Sequence, residues 1–91
     1  MSYQITDYSK NKAKELGVKI KPSSKPNKKI DVYLKDAVIS IGDNNYMDYP
    51  NYIKTKGKDY ANQRRKLYKK RHEKDRHKKG TAGFYADRIL W

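Results

Sequence analysis

The stretch Ile30-Asp31-Val32-Tyr33-Leu34-Lys35-Asp36-Ala37-Val38-Ile39-Ser40-Ile41-Gly42 constrains this chain more than any other. Folded back about Lys35-Asp36, it sets Ile30, Val32 and Leu34 opposite Ile41, Ile39 and Ala37, so every pair on one side is apolar. The other side pairs Asp31 with Ser40 and Tyr33 with Val38. This period-two alternation predicts a β-hairpin with one face made to be covered. The turn lacks the glycine that two-residue hairpin loops prefer, so the apolar face defines the register more firmly than the turn does.

Little else is available to cover that face. Of 91 residues, 35% are hydrophobic and 36% charged. At this length a chain buries only about 60–65% of its unfolded surface, so one domain with a thin core is expected, completed by a partner. The best cover is "TAGFYADRILW", Thr81 to Trp91. There Ala82, Tyr85, Ala86, Ile89 and Leu90 recur at the spacing of a short amphipathic helix, and Phe84 and Trp91 add a second apolar edge. A chain this polar is not expected to leave Ile-Leu-Trp undocked.

The first 29 residues read as a helix, a short strand and a linker. Thr6 or Asp7 can cap a helix that runs to Leu16, with Gly17 placed to end it. Val18 to Lys21 alternates like a strand, the third of the sheet if it joins the hairpin, and "KPSSKPNKK", Lys21 to Lys29, reads as a loop or linker. Residues 30–91 carry the hairpin, a basic helix and the C-terminal helix, so the fold class is α+β. Between hairpin and basic helix, Gly42 to Gly57 reads as a turn-rich connector. Its tyrosines, Tyr46, Tyr49 and Tyr52, are expected to pack along the rim of the core, with base stacking as the second reading.

Charge is the other strong signal. The net charge is +13, and residues 54–79 hold thirteen Lys and Arg against Asp59, Glu73 and Asp75. From Lys58 to about Lys78 no proline or glycine interrupts a run of good helix formers. A narrow stripe of Tyr60, Arg64, Leu67, Tyr68, Arg71 and Asp75 follows helical spacing, and Gly80 is placed to stop the helix. Like charges meet at i, i+4 in Arg65 with Lys69, Lys66 with Lys70, and Lys70 with Lys74. Each such pair costs a few tenths of a kcal/mol, which an opposing polyanion would offset. The residues expected to contact phosphate are Lys58, Arg64, Arg65, Lys66, Lys69, Lys70, Arg71, Lys74, Arg76, Lys78 and Lys79. The arginines can hold phosphate with two donors, and the lysines act as point charges. Asn62 and Gln63 are too few for base readout, so binding largely independent of sequence is expected, to DNA in preference to RNA. The alternative is an auxiliary structural protein that docks the same helix on an acidic protein surface.

Other chemistries find little support. There are no cysteines, which removes disulfides and thiolate ligands. His72 and His77 lie about 140° apart on a straight helix and cannot share one metal ion. A nuclease built on His72 with Asp75 or Asp87 lacks a second carboxylate cluster, and no Gly-rich phosphate loop or Ser-His-Asp set appears. Neither an enzyme nor a metal or cofactor site is expected. No signal peptide is legible, and no window approaches the roughly 18 apolar residues of a membrane span, so no membrane partner is expected.

Three segments, "VYLKDAVISIGD", "YANQRRKLYKKRHEKD" and "GTAGFYADRILW", resemble as a set a group of short basic proteins encoded by large DNA viruses and tailed bacteriophages. The resemblance spans about residues 30–91. It implies a viral setting, in the virion or the infected-cell interior, and association with the particle, its capsid proteins or its genome. The phage members carry two cysteines where this chain has Lys74 and Arg88, so no metal or redox role carries over.

Overall fold

In the computed structural model, which describes residues 3–91, Thr6 accepts the Ser9 amide and opens α1 (Asp7–Leu16). Gly17 closes it at φ +72°, a left-handed conformation that glycine adopts at little cost. The chain continues through β1 (Lys19–Pro22), β2 (Lys28–Tyr33), β3 (Val38–Asp43), α2 (Tyr49–Lys56), α3 (Lys58–Arg71) and α4 (Ala82–Ile89). The strands form one antiparallel sheet in the order β1-β2-β3, and with the helices make an α+β fold.

The hairpin has the register its alternation predicts. Ile30 pairs with Ile41, Asp31 with Ser40, Val32 with Ile39 and Tyr33 with Val38, and the Leu34 amide closes the turn on the Ala37 carbonyl at 2.8 Å. β1 adds the third strand, with Ile20 opposite Val32. The Pro/Ser/Lys-rich segment is therefore shorter than a linker. Pro22 belongs to β1 and Lys28 and Lys29 to β2, which leaves a tight reversal across residues 23–27.

Ile30, Val32 and Ile41 form the core with Phe84, Tyr85, Ile89 and Leu90. α4 thus covers the hairpin, and Phe84 sits inside the core and not on a separate edge. Ser9 donates to the Ile89 carbonyl at 2.8 Å and ties α1 to the end of α4. At Gly42 (φ +79°) a Cβ would lie 2.8 Å from Leu90 Cδ1 and 2.9 Å from Lys29 Cδ, so both the backbone and the close approach require glycine. On the other face of the sheet, Asp31 is buried. Hydrogen bonds from Ser23 and Ser40, the latter at 2.6 Å, hold its carboxyl below the usual range.

Two segments depart from the sequence reading. The connector before the basic helix is not all turn, because α2 forms within it. Asp48 caps α2 by accepting the Asn51 amide, and Pro50 sits in the first turn, where its missing N–H costs nothing. The basic helix stops at Arg71, not near Lys78. His72 to Gly80 reverses through irregular turns, with the Asp75 carbonyl 3.2 Å from where a Cβ on Gly83 would lie. Extending α3 to Lys78 would carry the chain roughly 10 Å further before it could turn back. The observed reversal instead brings α4 against the sheet.

Replacing Leu90 by alanine is expected to destabilise the protein by about 2–5 kcal/mol in denaturant titrations, since the side chain is fully buried beside Gly42.

Candidate nucleic-acid interface

α3 is amphipathic in an unexpected direction. Its inward face carries Ala61 and Tyr68, both buried, with half-buried Arg64, Arg65 and Lys69 around them and His72 at the cap. Tyr60 and Leu67, expected in the apolar stripe, are 42% and 53% exposed. Polar anchors explain the rotation. Asn62 accepts from the Tyr49 hydroxyl at 2.8 Å, the Arg65 guanidinium lies over the Tyr49 ring at 4.5 Å, and Arg64 lies over Tyr52 at 5.8 Å. These contacts fasten α3 to α2 through cation–π and hydrogen-bond contacts in place of an apolar seam. They also draw Arg64 and Arg65 away from the outer surface.

A buried carboxylate draws in more of the basic run. Asp87 of α4 is only 1% exposed, and Lys69 (2.8 Å), Arg88 (2.7 Å) and Arg76 (3.6 Å) surround it. Arg76 also pairs with Glu73 at 3.0 Å, and His77 meets Glu73 at 2.7 Å; together they hold the Glu73 carboxyl below its usual range. Asp48 plays a similar part at the other end. It takes Lys29 at 3.1 Å, Asn51 at 2.8 Å and the Tyr3 hydroxyl, joining β2, α2 and the N-terminal segment. Burial and the Asp48 hydrogen bond raise the Tyr3 pKa.

Seven of the eleven residues expected to contact phosphate remain on the outside. Lys58, Lys66, Lys70, Arg71, Lys74, Lys78 and Lys79 are exposed, and among the described residues none lies within ion-pair distance of a carboxylate. Lys58, Lys66, Lys70 and Arg71 project from α3, whereas Lys74, Lys78 and Lys79 belong to the reversal that follows it. The like-charge strain is accordingly smaller than the sequence implies. Arg65 has its ring, Lys69 has Asp87 and Lys74 has left the helix, so only Lys66 and Lys70 stay as an unrelieved helical pair.

Beside this surface runs an aromatic series. Tyr68 stacks on Trp91 at 4.4 Å with 8° between the planes, His72 lies 4.3 Å from Tyr68, and Tyr52 contacts both Trp91 and Tyr60. Trp91 is thus held between α2 and α3. Sequence reasoning placed it on an apolar edge of α4 and missed the stack, for which a helical spacing gives no signal. Burial first, and then the negative charges of Asp87 and Asp75, push the Tyr68 hydroxyl up to about 12.

The two histidines are separated. His77 faces Glu73, and His72 Nδ1 lies 3.7 Å from Asp75, longer than a hydrogen bond. Among the described residues, no three His, Asp or Glu side chains gather at metal-binding spacing, and no helix is long and apolar enough to cross a membrane. Comparison with family models, with curated proteins and with solved structures finds no match to this chain.

Asp87→Ala is expected to cost about 2–3 kcal/mol in chemical denaturation, less than for a fully buried pair because its cations keep some contact with water. Lys66→Ala, on the outer face, is expected to stay within about 0.5 kcal/mol of the parent. Tyr68 gives a sign for alkaline pH. A phenol with a raised folded pKa contributes stability that is complete below about pH 10 and is lost as pH rises toward about 12. Unfolding measured across that window should be steeper for the parent than for Tyr68→Phe.

Proposed function

We propose that the protein is a non-enzymatic nucleic-acid-binding protein that holds the phosphate backbone largely without regard to sequence. The observation that carries this reading is the surplus of exposed cations after internal pairing. Asp48 and Asp87 already have their counterions, yet Lys58, Lys66, Lys70, Arg71, Lys74, Lys78 and Lys79 stay outside on α3 and the reversal after it. A surface of one sign raises the local concentration of polyanions, and neutralising phosphates releases condensed counterions. Lys66 and Lys70, one turn apart, suit successive phosphates as point charges, and Arg71 adds a two-donor grip. Of the two amides that α3 offers to a base, Asn62 has its Oδ1 taken by the Tyr49 hydroxyl, which leaves Gln63 alone. That favours backbone contact over base readout. Association with a virus particle is supported by the resemblance of residues 30–91.

A salt titration tests the proposal. With about five to seven phosphates engaged, log K against log[salt] on duplex DNA should slope by roughly −4 to −6. Replacing Lys66 and Lys70 together by alanine should flatten the slope by about 2 and weaken binding evenly across sequences. A near-flat slope in the parent would overturn the proposal and favour docking on an acidic protein surface. Base readout would show instead as a loss confined to one sequence.

A further inference from the structure

Between the β3–α2 connection and the C-terminal half of α3 lies a cleft of about 340 Å³, within the usual range for ligand sites. Its lining is unlike the lysine-rich surface beside it. Tyr46 and Met47 enter from the connection, Tyr68 from α3, and Trp91 from the segment after α4. Tyr46 is 70% exposed and makes no ring contact among the described residues, although six other tyrosines do. An aromatic side chain left this open, beside an already stacked Tyr68–Trp91 pair, leaves room for a further flat ring.

The charges around the cleft are mostly positive. Lys28 and Arg71 reach it, both exposed and outside every ion pair among the described residues. Lys29 also lines it but is neutralised by Asp48 at 3.1 Å. The opposing acid is Asp43, whose carboxylate accepts the Asn45 amide at 2.9 Å. Apolar rings with two unpaired cations at the edge match a base and its phosphate. A paired base inside a duplex cannot present its face to a ring, whereas an unpaired one can, and such stacking tolerates any base.

We propose that this cleft receives an unpaired nucleobase of a single strand, with Lys28 and Arg71 on the adjoining phosphates and Tyr46 covering the ring. The inference rests on the nucleic-acid reading above and adds a preference for single strands. Trp91 is the sole tryptophan and lines the cleft, so its emission reports occupancy.

The experiment titrates the full chain with oligothymidylate, with a duplex of equal length and with thymidine monophosphate at one salt concentration. The strand should bind more tightly than the duplex and quench Trp91. Tyr46→Ala should weaken strand binding about 5- to 150-fold and leave duplex binding unchanged. Because Tyr46 is exposed and outside the core, the variant should keep the parent's circular dichroism and unfolding midpoint. Unchanged strand affinity in Tyr46→Ala, or a monophosphate that binds as tightly as the strand, would overturn the cleft assignment while duplex binding kept the broader proposal standing. Failure of the parent to bind either strand or duplex would overturn both.

Discussion

The Asp87 carboxylate, buried in α4 and met by Lys69, Arg76 and Arg88, is the interaction on which the placement of the basic segment depends. An ionised carboxylate in so small a core is tolerable only when cations and hydrogen bonds replace water around it. Supplying them requires α3 to present Lys69 inward and the chain beyond Arg71 to fold back far enough for Arg76 to arrive. The same rotation buries Tyr68 and seats Trp91 on it. It also turns Leu67 outward, a cost in exposed apolar area that the polar anchors offset. Asp48, with Lys29 and the Tyr3 hydroxyl, does for the sheet and α2 what Asp87 does for α3 and α4.

A core assembled from Ile30, Val32, Ile41, Phe84, Tyr85, Ile89 and Leu90 is small for 91 residues. Asp48 and Asp87 extend it by holding long side chains, whose heads neutralise the carboxylates while their methylenes can cover apolar surface. Part of the large basic surplus is therefore structural. What remains includes seven exposed cations on the outer face of α3 and the reversal, near the cleft that Tyr46 lines. Phosphate contact and base stacking would then be adjacent functions of one surface.

Much of the fold was legible because it depends on neighbours in sequence. The pairs Ile30 with Ile41 and Val32 with Ile39 follow from alternation alone, and Thr6 and Gly17 delimit α1 through capping that involves only adjacent backbone. α4 was legible from its spacing and its docking from the scarcity of other apolar residues. α2 carried a usable signal in Asp48 followed by Pro50, a cap and a first-turn proline, which the density of turn-forming residues from Gly42 to Asn51 obscured. The candidate surface was legible as a segment but not residue by residue. Arg64, Arg65, Lys69 and Arg76 look the same in sequence as Lys66 and Lys70, yet the structure spends the first four internally.

The sequence by itself determined the strands, their register, the limits of the first helix, the apolar character of the C-terminal helix and the excess of positive charge. Each of these follows from local periodicity, capping or simple count. Only the tertiary structure decided where α3 ends, which of its faces turns inward and which cations reach solvent. Those outcomes hang on Asp87 and Trp91, which are distant in sequence from the residues they select. Chemically equivalent lysines and arginines carry no local mark of which will be taken up by a buried carboxylate or an aromatic ring.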